Sequence, residues 1–315
     1  MGRFIAKRLL SAIVVLLIVS LLAFLIIGLV PGDAASEMAG PAASAEEIAR
    51  IRTQLGLDRP FHEQIVRWYA NLARGDLGQS LLLHRSVASA IIERAPVTLS
   101  LTLLALAILL PLGVACGVLA ALRPNTWIDQ SLMSLALLGL SLPDFWLGLV
   151  LIYVFAVVLG WLPTGGYVAF MVDPAGWLRT MALPALALAL TQMGLLARLT
   201  RSSMLEVLRQ DYVRTARAKG LPEWRVIGKH ALANVLVPVV TVIGLSVGLL
   251  LVGGGGGVGV FAARCQAAHH RRDPAPRHAG DPGRAALTAS AFVFVNIVVD
   301  VLYAYLDPRV RYEHG

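Results

Sequence analysis

The sequence is short of charge. Of its 315 residues only 15% are Asp, Glu, Lys or Arg, while 57% are hydrophobic and the mean hydropathy is +0.72. Soluble domains carry about 25% charged and roughly 45–50% apolar residues, so an ordinary soluble globule is excluded. Disorder is excluded too, because it requires low hydrophobicity. Cysteine is scarce. Cys116 and Cys265 stand far apart, which supports neither a disulfide framework nor a Cys-rich metal site. Nucleotide chemistry is missing. No G-x-x-x-x-G-K-[ST] occurs, and the run Gly253–Gly257 lacks the Lys and follows an apolar stretch. No H-E-x-x-H occurs, and His269 and His270 are adjacent, which places them poorly for shared ligation on a helix.

Long uncharged runs fill the space that charge leaves. Arg3, Lys7 and Arg8 precede the run from Leu9 to Val30. Its 22 residues exceed a signal-peptide apolar core and suffice to cross about 30 Å of hydrocarbon. It reads as a retained first helix with the N-terminus inside. Five further spans are expected: Ala95–Leu122, Ser131–Leu162 (interrupted by Pro143 and Asp144), Thr180–Ala197, Ala231–Val252, and Leu287–Val299 continuing past Asp300 to Leu306. Six spans return both termini to one side.

The distribution of the +8 net charge tests that topology. Residues 31–94 hold seven Arg, no Lys and eight acidic residues, which suits an outside segment. From Arg198 to Lys229 there are eight basic residues against Glu206, Asp211 and Glu223, which suits an inside loop. The 31–94 segment is too polar to enter the bilayer. Ser44–Leu55 and Phe61–Leu72 read as short amphipathic helices, the first opened by Ser44 and Glu47 in capping-box spacing. The segment is either a surface lid or a docking surface for an extracytoplasmic partner.

The loop between the fourth and fifth spans, DYVRTARAKGLPEWRVIGKHALANVLVP, is the richest text. Ala216, Ala218 and Gly220 gather small residues on a short helix, with Arg214, Arg217 and Lys219 around them. Small residues allow another surface to come close. Gly220-Leu221-Pro222 reads as the stop, and Trp224 offers an apolar anchor beside it. Two readings stand: a solvated basic loop that satisfies topology, or a helix that seats in a groove of a cytoplasmic protein.

This stretch resembles the "EAA" signature of ABC-transporter membrane subunits. Arg214-Thr215-Ala216-x-x-x-Gly220 occupies the signature, with His230, Asn234 and Pro238 downstream. Arg214 replaces the Glu that names the motif, and Thr215 replaces its first Ala. The variant is that of the dipeptide, oligopeptide and nickel importers. Further text resembles the first permease subunit of that branch along nearly the whole chain. It includes PGD at Pro31–Asp33, LGLDRP at Leu55–Pro60, RGDLGQS at Arg74–Ser80, SLPDFWLGL at Ser141–Leu149 and LGWLPTGGY at Leu159–Tyr167. The ending, from Asn296 through Asp300, Tyr303 and Asp307 to Arg311, does likewise.

The resemblance implies an all-α polytopic membrane protein with six transmembrane helices, the type I ABC importer (MetI-like) permease fold. Its parts would be an N-terminal helix (1–30), an extracytoplasmic insertion (31–94) and a permease core (95–315). The core would contain a cytoplasmic coupling loop at 198–230. Tyr212, Arg214, Thr215, Ala216, Lys219, Gly220 and Leu221 would couple it to an ATPase. Implied partners are a second homologous permease, two cytoplasmic ATP-binding subunits that use ATP and Mg, an extracytoplasmic substrate-binding protein and the lipid bilayer. No cofactor and no nucleic acid is expected on this chain. The implied location is the bacterial inner membrane, and the implied solutes are peptides or related small molecules. An ion-coupled secondary transporter is the rival reading. It needs ionisable residues at mid-bilayer and internal repeats.

Only a few polar residues interrupt the runs. Asn296, Asp300, Tyr303 and Asp307 are spaced 4, 3 and 4, on one helix face. An Asp at mid-bilayer costs about 2.5–3.5 kcal/mol, so Asp300 faces protein or water, as a structural contact or a pathway residue. Asp144 either touches substrate or merely accompanies the kink that Pro143 makes.

Residues 253–286 depart from the branch's apolar text. They hold five consecutive Gly, five Arg, three His and three Pro. The segment is either a divergent loop or the product of a reading-frame slip. With suitable codons, Arg277–Gly283 read one nucleotide later gives Val-Thr-Pro-Val-Ile-Gln, which is the branch's text. The nucleotide sequence decides between the two.

Overall fold

A computed structural model describes residues 43–76, 79–80 and 85–256, with scattered positions between 10 and 35. Residues 257–315, with Asn296 and Asp300, lie outside the described residues, as does most of the run 9–30 and most of the anomalous 253–286 segment. The chain divides into two compact units, with residues 43–96 in one and 97–256 in the other.

The first unit contains α1 (Ala45–Leu55) and α2 (Phe61–Ala73), both within a residue of their expected limits. Ser44 caps α1, its Oγ accepting from the Glu47 amide at 3.3 Å, and Glu46 and Glu47 occupy the positive end of the helix. The other end closes on Gly56 at φ 71°. Gly56 N–H donates to Thr53 and Leu57 N–H to Arg52, both at 3.0 Å, a Schellman closure. A two-stranded antiparallel ribbon follows, β1 (Gln79–Ser80) paired with β2 (Arg85–Ser86) in register Gln79 to Ser86.

Long helices make up the rest: α3 (Val87–Leu122), α4 (Trp127–Ser141), α5 (Asp144–Ile152), α6 (Pro174–Leu208), the short α7 (Asp211–Ala218) and α8 (Leu232–Gly256). Among the described residues, two helices are long and apolar enough to cross a membrane, Ile92–Leu122 and Pro174–Leu208. There are three if α4 and the helix from Asp144 to Val158 count as one broken span. The described residues therefore establish an all-helical membrane core without reaching a count of six. Helix α8 occupies the fifth expected run.

Two expected boundaries change. The run Ser131–Leu162 is not one straight helix. α4 and the helix after it bend by 104° at Leu142-Pro143. Proline pushes the residue before it out of the helical region, and Leu142 sits at φ −92°, ψ 133°. α5 then passes into a π-helical turn at Tyr153–Val158. The second change is at α6. The loop expected to begin at Arg198 is helical to Leu208, so α6 has 35 residues and extends about 52 Å at 1.5 Å per residue. That exceeds the hydrocarbon thickness. The charged last turns, from Arg198 onward, are the part that projects. Asp173 caps its start, Oδ1 accepting from Ala175 N–H at 3.0 Å, with Pro174 at the first helical position.

Helix α6 organises the second unit. Leu109 of α3, Met193 and Leu196 of α6, and Val235 and Val239 of α8 share one buried cluster. Glycine brings the helices together. A Cβ on Gly117 of α3 would lie 2.6 Å from the Ala197 carbonyl oxygen, and one on Gly113 would lie 2.7 Å from Leu196. A Cβ on Gly139 of α4 would lie 2.6 Å from the Leu190 carbonyl oxygen, and one on Gly194 would strike the Ala136 carbonyl. Lipid-exposed apolar faces gain little from burial against one another, so close backbone approach through small residues is how such helices adhere.

Candidate functional site

The loop after α6 folds as a compact unit. Arg209 and Gln210 turn the chain, and α7 opens at Asp211, whose carboxylate lies in the first turn. Val213 and Ala216, three residues apart, face inward, 0% and 6% exposed. They form a small core with Val226, against which Val207, Leu208 and Leu221 pack. The opposite face carries Tyr212, Arg214, Thr215 and Lys219, all exposed.

α7 ends as the text of Gly220-Leu221-Pro222 implies. Gly220 sits at φ 75°, its N–H donating to Arg217 at 2.9 Å while Leu221 N–H donates to Ala216 at 3.3 Å. This is the closure already seen at Gly56. A single helical turn at Glu223–Arg225 and a π-helical turn at Val226–Ala231 lead into α8. Arg217 clasps the hinge, with Nε to Glu223 Oε1 at 2.8 Å and Nη2 to Oε2 at 3.3 Å. Both side chains are solvent-exposed, so the pair fixes geometry more than stability. Asn234 Nδ2 donates to Tyr212 Oη at 3.0 Å and to the His230 carbonyl at 2.9 Å, tying α7 to the first turn of α8.

The small residues expected to act together are separated. Ala216 points into the loop's own core, where its size suits packing against Val226, so it is not an outward surface of close approach. Gly220 faces open space. A Cβ placed there would meet nothing within 4 Å, and the position's requirement is the left-handed backbone. Tyr212, Arg214, Thr215, Lys219 and Gly220 remain on the outward side, and Leu221 is half-buried beneath the turn. Thr215 Oγ1 donates back to the Asp211 carbonyl at 2.9 Å.

A second arrangement was not legible in the amino-acid text. Arg201 grips Asp129 with Nε to Oδ1 and Nη2 to Oδ2, both 2.6 Å, joining the start of α4 to the last turns of α6. Asp129 is 4% exposed at its side chain and Arg201 25%. Asp129 Oδ2 also accepts from the N–H of Asn125, which holds φ 60° in the preceding turn. Both residues lie outside the uncharged runs 131–162 and 180–197. The hydrogen-bonded Arg201 guanidinium holds the Asp129 carboxyl below the usual carboxylate range, against the opposing effect of burial. Thr126-x-x-Asp129 signals a helix start, but nothing in it names a partner 72 residues away.

Asp144 opens α5 at the bend, half-buried, in the first turn where a carboxylate complements the helix dipole. One further pattern is accidental. Gly244-x-Ser246-x-Gly248 matches a nucleophile elbow by letters, but it lies inside α8 with Ser246 1% exposed. An elbow needs a strand-to-helix turn.

Comparison with known proteins agrees with this architecture. Residues 113–312 match the family described as the binding-protein-dependent transport system inner membrane component. Residues 1–102 match its N-terminal companion. A peptide transport system permease protein of Brucella abortus is 48% identical over 322 aligned positions, covering 99% of this chain and all of that protein. The glutathione transport system permease protein GsiC of Escherichia coli is 40% identical over the same coverage, as is that of Salmonella paratyphi A. These matches decide against the ion-coupled rival. The chain belongs to the binding-protein-dependent transport family, as a multi-pass inner-membrane permease subunit of an ABC importer and not an enzyme.

Proposed function

We propose that the chain forms half of the translocation pathway of an importer for peptides or peptide-like small solutes. Supporting the solute class are the names of the relatives, peptide and glutathione permeases, together with nearly full-length similarity. The protein would have six spans, both termini cytoplasmic, and residues 31–94 outside. A second, homologous permease completes the pathway, an extracytoplasmic binding protein delivers solute, and two cytoplasmic subunits hydrolyse ATP with Mg.

One observation carries the coupling role. α7 is mounted on two long helices at once, through Val207 and Leu208 at the end of α6 and through the Tyr212–Asn234 hydrogen bond to α8. A push on its outward face therefore moves both. ATP-driven approach of the ATPase subunits supplies the push, and the buried core of Val213, Ala216 and Val226 keeps the loop from absorbing it. Tyr212, Arg214, Thr215, Lys219, Gly220 and Leu221 form the contact region, and Ala216 holds it together from inside. Asp144, Asn296 and Asp300 are polar residues within the expected spans, as pathway or structural contacts.

Arg214→Glu tests the docking role. Its side chain is 73% exposed and only loosely paired with Asp211 at 3.6 Å, so folding should be unaffected. ATP-dependent uptake in proteoliposomes containing the complete complex should fall severalfold, with membrane levels unchanged. Unchanged uptake would reject docking through this face.

A further inference from the structure

Helix α4 is fastened to α6 at two points. Of its 15 residues only Asp129 and Ala136 are buried. They are seven positions apart, on one face and about 10 Å along the axis. At Ala136 the backbones meet, since a Cβ on Gly194 would strike its carbonyl. One turn further, a Cβ on Gly139 would lie 2.6 Å from the Leu190 carbonyl oxygen. At Asp129 the fastening is the two-pronged grip of Arg201. The same carboxylate accepts from Asn125 N–H, in the turn that leaves α3. Arg201 stands six residues before Val207, where α6 carries the core of the α7 loop, about 9 Å along the helix.

We propose that Asp129 and Arg201 are positioning residues of the transport cycle, clamping α4 to α6 so that displacement of the α7 loop carries both helices. The inference rests on the reading that this loop receives the ATPase. Two fixed points make two helices one body, whereas a single point is a pivot. Without the ion pair the close approach at Ala136 and Gly139 remains, and the first two turns of α4 are free to swing about it. An ion pair suits this duty better than it suits stability. Apolar side chains of similar volume hold a buried position about as well as paired charges do. They also slide on one another, while a planar guanidinium fork on a carboxylate has one register. The far end of α4 is the 104° bend at Leu142-Pro143, beyond which Asp144 opens α5. A swinging α4 would dissipate the displacement before it reached that bend.

The test uses the complete complex in proteoliposomes, with labelled glutathione or a labelled dipeptide as solute. The readout is solute taken up per ATP hydrolysed. Asp129→Leu/Arg201→Met keeps the site filled and should lower that ratio severalfold, while the ATPase subunits still co-purify and hydrolyse ATP. Arg201→Lys keeps the charge without the fork, so its ratio should fall less. It carries the test where the apolar pair reduces the yield of complex. A ratio equal to the unmodified one in whichever variant assembles would overturn the proposal. Loss of the ATPase subunits from both variants would assign the pair to assembly and overturn it as well. A second readout separates clamping from packing. Spin labels on Gln130→Cys of α4 and Glu206→Cys of α6, both exposed positions, report the distance between the helices with and without ATP. Cys116 and Cys265 are replaced by Ser. The distance should be the same in both states with the ion pair present and differ between them in the apolar pair. A distance equally constant in the two proteins would refute clamping. Arg214→Glu is measured alongside. If it keeps full uptake while the apolar pair lowers the ratio, docking through α7 fails and the clamp stands.

Discussion

Cutting the Asp129–Arg201 pair from either side should give unequal losses. In Arg201→Met the Asp129 carboxylate, 4% exposed, keeps only the Asn125 amide at 2.9 Å as a partner. An uncompensated buried charge of this kind costs about 3–5 kcal/mol. In Asp129→Asn the remaining guanidinium is 25% exposed and turns toward water, so the loss is that of hydrogen bonds to a charged group, about 1.5–3 kcal/mol. Removing both charges in Asp129→Leu/Arg201→Met should cost less than the sum, because neither charge is then stranded. The assay is thermal denaturation of the detergent-solubilised chain, followed by the loss of monodisperse protein on size exclusion. The expected order of stability is unmodified chain, then Asp129→Asn, then Arg201→Met, with the double variant above Arg201→Met. A double variant equal to the summed singles within about 0.5 kcal/mol would show that the pair is uncoupled and refute the reasoning. The pH dependence has a fixed sign. The folded carboxyl titrates below its unfolded value of about 3.9, so the pair's contribution is complete above that value and drains as pH falls through the lowered one. Across the neutral range it should be flat.

Two further outcomes separate packing from docking. At Gly220 a left-handed backbone with open space around it predicts that Gly220→Asn keeps most transport while Gly220→Val, strained by about 1–2 kcal/mol, loses it. Asn and Val being equally harmful in an uptake assay would favour close approach of a partner instead. At Gly194, where any Cβ meets the Ala136 carbonyl, Gly194→Leu should force α4 from α6 and abolish the monodisperse protein, whereas Gly228→Ala, with nothing within 4 Å, should leave it intact. Normal yield of Gly194→Leu would contradict the packing described.

Much of this was readable because it depends on neighbours in sequence. Ser44 and Gly56 bound α1 and Gly220 ends α7 through hydrogen bonds that reach only three to five residues, so residue type and spacing suffice. The uncharged runs announce membrane helices, since the cost of burying charge in hydrocarbon does not depend on what packs alongside. The clustering of eight basic residues between 198 and 229 likewise marks a loop that stays out of the bilayer.

Other features needed the chain to be folded. The sequence alone cannot say which face of α7 turns inward, and so it grouped Ala216 with Gly220; Val226, arriving from beyond the hinge, made Ala216 core. It marked a break at Pro143 but carries no angle, because the 104° bend is settled by how α4 and α5 each pack on α6. It counted Arg201 as one more positive charge, when Asp129 neutralises it from 72 residues away. Composition and local spacing thus determined that this is a polytopic membrane protein with a basic segment after its fourth uncharged run and a helix stop at Gly220, and the resemblance of its motifs pointed to a permease. The tertiary structure decided where that loop begins, which of its residues face out and which long helices it is mounted on, because those depend on contacts between segments that are remote along the chain.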